Sequence, residues 1–254
     1  MILMLAIYKA SLILLVGLTL VFVFQGFYPD LIGPFSNAVS PLIAGLAVAS
    51  SVLPLKKYWH KIGERFSIIW FFFTAGLAFW FLGEAGWAVY TFVLNVEVPY
   101  PSIADVFWLI GYIPLFIGFY LYVRIFATAL TRKALIVSLA VTIILAFSVS
   151  VAVIIPLMGT EPDLITMVVD VAYPLSDLSL FCVSILGLLI FFGGNLGKSW
   201  AFINGAIILN TFADVLFSYV TKQGTYYAGH PVDLLFIYAY MFLLLAFHVH
   251  VNEL

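Results

Sequence analysis

The sequence predicts an all-α integral membrane protein, an eight-transmembrane-helix bundle with both termini cytoplasmic. Three observations carry this expectation. Of the 254 residues, 65% are hydrophobic and 9% are charged, whereas soluble domains carry about 25% charged residues. Mean hydropathy is +1.19, drawn from long uncharged runs, so lipid is the solvent for most side chains. The basic residues fall in alternate loops. Nothing shows the short alternating pattern of a membrane β-barrel. A net charge of −2 gives no reason to expect a nucleic-acid partner. Cys182 is the single cysteine, lies in an apolar run and reads as a small buried hydrophobe.

A helix needs about 20 apolar residues to cross the hydrocarbon core. Eight segments meet this, at about 2–24, 38–55, 66–94, 103–128, 134–157, 164–192, 200–221 and 233–251. Together they make residues 1–254 one transmembrane domain. The second segment is short, while the third and sixth are long enough to tilt or protrude. The N-terminal run lacks a basic leader region, Lys9 being its one charge, and reads as a retained span. Spans 1 and 2 show no polar residue that demands a role. Pro114 and Pro174 lie inside spans 4 and 6, where each should kink its helix and free a carbonyl. The stretch FFGGNLGK between spans 6 and 7 is a turn and matches no phosphate-binding loop.

Orientation follows from the loops. Lys56, Lys57, Lys61 and Arg65 follow span 2, Arg124, Arg132 and Lys133 flank the turn after span 4, and Lys198 follows span 6. The alternate loops carry Asp30, Glu97, Glu161 and Asp163, with Lys222 as their one basic residue. The expectation is a multi-pass protein of a prokaryotic cell membrane, with the lipid bilayer as its first partner.

The chemistry lies in carboxylates at membrane depth. Glu84, Asp170, Asp177 and Asp214 fall inside spans, and Asp105 and Asp233 stand at the mouths of spans 4 and 8. All except Asp177 belong to the outer half of the bilayer. Helical spacing gives each a stripe of neighbours. These are Trp80, Glu84 and Trp87; Asp105, Trp108 and Tyr112; Asp170, Tyr173 and Asp177; and Asn210, Asp214 and Phe217. An acid facing acyl chains costs several kcal/mol, about 2.5–3.5 on insertion scales, so these stripes should turn inward.

No Arg or Lys lies in the outer half of any span to neutralise them. Protonation, hydrogen bonds or a bound cation are the remaining solutions. For Asp105 and Asp233 the structural alternative is helix capping. The functional reading is an outward-facing acidic and aromatic pocket for a small cationic or amine-bearing ligand. It would be lined by Trp80, Glu84, Trp87, Asp105, Trp108, Tyr112, Asp170, Tyr173, Asp177, Asn210, Asp214 and Asp233. Tryptophan faces attract cations. A metal ion is the variant using oxygen ligands alone, with Glu84, Asp170 and Asp214 as its ligands. The sequence assigns no cofactor.

Spans 3–4 and 7–8 read alike. Glu84 matches Asp214, Asp105 matches Asp233 and Tyr112 matches Tyr240, with a Pro-containing loop between the spans in both. Span 6, VVDVAYPLSDLSL, is a looser third copy. The ordered set points to a duplicated helical hairpin.

The segments GEAGWAVY, PYPSIADVFWLIGY, AYPLSDLSLF and FADVLFSYVTKQGTYYAGHPVDLLF carry a resemblance across roughly residues 75–250. They resemble the multi-helix N-terminal membrane sensor region of bacterial GGDEF, EAL and histidine-kinase signalling proteins. The resemblance implies a sensory module acting with a cytoplasmic signalling partner, and it implies no catalytic residue. This sequence ends at HVHVNEL without an output domain.

A sensor or ligand-binding module is therefore the leading expectation. An ion- or proton-coupled transporter is the alternative, resting on the deep acids and the repeat. A membrane-embedded enzyme is a further alternative, although no His–Glu motif, Ser–Lys pair or nucleophile elbow occurs. Haem would need histidines on facing helices at one depth. His60 and His230 lie in loops, and His248 and His250 point to different sides of span 8, reading as interfacial residues. Tyr226 and Tyr227 read as interface aromatics.

Overall fold

The computed structural model describes residues 2–59, 63–151, 155, 164–191 and 197–252. Among these residues it is all-helical, with eight helices long and apolar enough to cross a membrane. They are α1 (Ile2–Val23), α2 (Pro29–Tyr58), α3 (Gly63–Ala88), α4 (Ile103–Ile125), α5 (Arg132–Val149), α6 (Leu164–Phe191), α7 (Gly197–Lys222) and α8 (Pro231–Asn252). A π-helical turn, Val89–Leu94, extends α3. It ends at Asn95, which takes a left-handed φ of 51° that asparagine tolerates.

The expected spans fall on these helices, with one correction. Span 2 is not short, because α2 begins at Pro29 and runs for 30 residues. Its segment PDLIGPFSN looks like a loop on composition, yet Pro29 occupies the first helical position, where its missing N–H costs nothing. Pro34, Pro41 and Pro54 are carried inside the helix. The tail of span 5, beyond residue 151, lies largely outside the described residues, as do Lys61, Glu161, Asp163 and His60.

Six helices close a ring in the order α2, α3, α4, α6, α7, α8 and back to α2. In this ring α3 stands opposite α7. Helix α1 packs outside against α8, and α5 packs outside against α6. Burial follows the same plan, since 61% of the α8 span is buried and only 11% of α1 and of α5. Small residues set the close approaches. A Cβ on Gly111 would stand 2.5 Å from Trp80, and one on Gly187 would stand 2.1 Å from Trp200. Bulky rings thus reach the interior where helices meet at glycine.

One end of the bundle is an aromatic core. Trp70, Phe73, Phe119, Tyr122, Trp200 and Phe247 are all buried there. His250 lies among them, 2% exposed, its Nε2 at 3.2 Å from the Tyr58 hydroxyl and its ring 4.6 Å from that of Trp70. The expectation of an interfacial His250 is therefore corrected: it is a core residue in tilted and edge contacts with the rings around it. Nearby, Lys57 donates to the Val251 carbonyl at 2.7 Å, tying the C-terminal ends of α2 and α8 together. The opposite end is hollow.

Candidate functional site

The N-terminal ends of α2, α4, α6 and α8 and the C-terminal ends of α3 and α7 surround a cavity of about 640 Å³. Every residue expected in the pocket lines it except Asp177. The lining holds six carboxylates, Glu84, Glu97, Asp105, Asp170, Asp214 and Asp233, and one basic side chain, Lys222. That imbalance is the main electrostatic fact of the site.

The two acids deepest in the lining are held by donors from other helices. Glu84 accepts from Ser40 Oγ at 2.6 Å and from Tyr240 Oη at 3.0 Å. Asp214 Oδ2 accepts from Asn210 Nδ2 at 2.8 Å and from Tyr112 Oη at 3.2 Å. The same tyrosine reaches Asp177 Oδ1 at 2.8 Å, so Asp177 sits behind Asp214 and outside the lining. Asp177 is 2% exposed, and its Oδ2 has no hydrogen-bond partner among the described residues.

The rim acids are built into helix starts. Ser102 and Asp105 form a capping box at α4: Ser102 caps the helix, and Asp105 Oδ2 accepts from the Ser102 backbone N at 2.7 Å. Its other oxygen takes the Tyr173 hydroxyl at 2.9 Å. Asp233, in the first turn of α8, accepts from the Gly229 backbone N at 2.8 Å, Ser36 Oγ at 2.9 Å and Tyr226 Oη at 3.3 Å. Asp170 takes the hydroxyl of Tyr100. Capping and pocket lining thus coexist at Asp105 and Asp233, so these are not exclusive alternatives. Each of these acids has a tyrosine for a donor.

Aromatic rings form the floor and one wall. The Trp80 ring lies 5.2 Å from Tyr112 and 6.2 Å from Tyr240, between the donors of the two deep acids. Its indole N–H donates to the Trp108 carbonyl at 3.1 Å. Trp87 and Trp108 lie 6.0 Å apart, and the Trp87 N–H is taken by Asn37 Oδ1 at 3.2 Å. Trp80 is 3% exposed, its ring packed against Tyr112 and Tyr240, so the indole faces left to a ligand are those of the half-buried Trp87 and Trp108. Across the cavity Phe217 and Phe236 pair at 6.4 Å.

The loop 223–230 closes one side. Burial pushes the Tyr226 phenol up, and the neighbouring Asp233 charge adds to the effect. Burial lowers the His230 imidazole pKa, and Nδ1 accepts from the Val232 backbone N at 3.2 Å.

Several site residues escaped the sequence reading. Ser36, Asn37 and Ser40 project from α2, where no polar role was expected, onto Asp233, Trp87 and Glu84. Their spacing on one helical face would have shown once α2 was started at Pro29. Tyr226, expected as an interface aromatic, lines the cavity instead. Glu84, Asp170 and Asp214 do not gather as a metal-ligand group, and no group of three or more His, Cys, Asp or Glu placed to hold an ion occurs among the described residues. Each of the three is engaged by hydroxyl donors of its own. Comparison with protein-family models, curated proteins and solved structures found no match to this chain.

Proposed function

We propose that the chain is a membrane-embedded sensory module whose cavity binds a small amine-bearing cation from outside the cell. The observation that carries this reading is the lining itself, six carboxylates against one lysine, with tryptophan faces beside them. In a site of low dielectric, a charge excess of that sign favours a cation strongly. The tyrosine, serine and asparagine donors hold the carboxylates in place while leaving acceptor capacity, since each carboxylate offers about four lone-pair sites. An alkylammonium brings N–H donors for those sites and a positive face for the indoles.

The positive-inside distribution of Lys and Arg supports a cytoplasmic location for both termini, which puts the cavity on the outer side. A signal would then pass along α8 to the opposite, His250-bearing end and on to a cytoplasmic partner.

We also read α2–α4 and α6–α8 as two copies of one unit. Glu84 and Asp214, Asp105 and Asp233, and Tyr112 and Tyr240 are the matched pairs. Ring contacts at the far end support the match. Trp200 meets Tyr122 at 5.2 Å and Phe119 at 6.0 Å, while Trp70 meets His250 at 4.6 Å and Phe247 at 5.7 Å. On this reading α6 corresponds to α2 and is not a third hairpin.

The experiment is a thermal-shift series on the purified protein in detergent, with alkylamines and calcium as probes. A rise in Tm with amines that is lost in the Glu84→Gln, Asp214→Asn double variant is the expected result. No shift of the wild type with any amine overturns the reading, and a shift with calcium alone replaces the amine by a divalent ion. Amine uptake into proteoliposomes would make the protein a carrier.

A further inference from the structure

We propose that the cavity takes a ligand with two amino groups, an aliphatic diamine whose ammonium ends sit at Glu84 and Asp214 and whose methylene spacer spans the cavity between them. This rests on the amine-binding reading above and names the ligand class within it.

The lining has two deep acidic centres, not one. Glu84 is on α3 and Asp214 on α7, the helices that face each other across the six-helix ring. Both centres open on the same cavity. Each has its own fixed donors, Ser40 and Tyr240 at one and Asn210 and Tyr112 at the other. The buried Trp80 ring packs against both tyrosines and so fixes the two donors relative to each other. Acid, open cavity, acid is the order from α3 to α7.

That order matches a diamine and mismatches the simpler cations. A monoamine at either centre leaves the other carboxylate buried and unpaired, which is costly. A quaternary ammonium could use the indole face but has no N–H for the carboxylates. A primary ammonium brings three donors to each end, and its spacer leaves water for a cavity lined by half-buried aromatic rings.

A second observation distinguishes the Asp214 end from the Glu84 end. Asp177 stands behind Asp214, sharing Tyr112 and Asn210 with it, and its buried Oδ2 has no partner among the described residues. At the Glu84 end the α2 donor is Ser40, an uncharged group. The two ends are therefore alike in kind and unequal in make-up, a single carboxyl at one and a carboxyl pair at the other.

The test is titration calorimetry and thermal shift on the full chain in detergent micelles, with putrescine, cadaverine, butylamine and choline as probes. At least one of the two diamines should bind about tenfold tighter than butylamine or more, at least 1.4 kcal/mol. Glu84→Gln and Asp214→Asn should each bring the best diamine down toward the butylamine level. Equal affinity for butylamine and both diamines in the wild type overturns the diamine and leaves amine binding standing. A choline preference does the same. No response to any amine overturns both readings. The wild-type probe series needs no variant, so a misfolded Glu84→Gln or Asp214→Asn protein does not rescue the proposal.

Discussion

Tyr240 on α8 donates to Glu84 on α3 at 3.0 Å, while Tyr112 on α4 donates to Asp214 on α7 at 3.2 Å. Each deep acid is thus served by a tyrosine from the other three-helix side of the ring. A half-buried carboxylate needs such donors, because water reaches it only from the cavity. The consequence is that neither deep acid has its full set of donors without the opposite side of the ring.

Removing the Tyr240 hydroxyl should cost stability on the scale of one lost charge-assisted hydrogen bond, about 1.5–3 kcal/mol. Tyr112→Phe should cost more than Tyr240→Phe, since Tyr112 serves both Asp177 and Asp214. Thermal unfolding in one detergent orders the two variants. The Tyr240→Phe, Glu84→Gln pair should be less than additive, as expected for groups in contact.

Glycine substitutions should divide by what faces them. Gly187→Ala drives a methyl to 2.1 Å from Trp200 and should destabilise by about 1–3 kcal/mol. Gly17 has nothing within 4 Å, so Gly17→Ala should stay within about 1 kcal/mol of the parent. The same melting assay reads both. A stable Gly187→Ala protein would contradict the close approach of α6 and α7.

Acidification should loosen the loop that carries His230. Burial holds the folded-state imidazole pKa below its ordinary value, so the unfolded chain binds more protons in that range. Stability from this residue is therefore present above pH about 6.5 and is lost as pH falls below it. Relative to the parent, His230→Gln should therefore gain melting temperature as pH falls below about 6.5, a difference in which every titrating group common to both proteins cancels.

Membrane orientation is open to direct labelling. In a Cys182→Ala background, Thr225→Cys in the cavity-side loop should react with a membrane-impermeant maleimide on intact cells. Lys133→Cys, at the start of α5, should react only after permeabilisation. The reverse pattern would turn the bundle over and put the cavity on the cytoplasmic side.

The spans were legible because twenty apolar residues in a row admit few structures, and the acids stood out because charge in such a run is costly. What was illegible was mostly what one helix does for another. Ser36 and Ser40 look like ordinary small polar residues until α8 and α3 bring Asp233 and Glu84 against them. The start of α2 was hidden for a local reason: proline marks loops and first helical positions alike, and Pro29 is the second kind. His250 misled in the same way, since proximity to the chain end suggested an interface while long-range packing buried it against Trp70.

The crossed tyrosine bonds have an evolutionary consequence. A change at position 240 is felt at position 84, and a change at 112 is felt at 177 and 214. Drift in one half of the chain is therefore answerable to the other, and relatives should alter these positions in concert. A chimera joining halves from two lineages would set each deep acid against a tyrosine position from the other lineage.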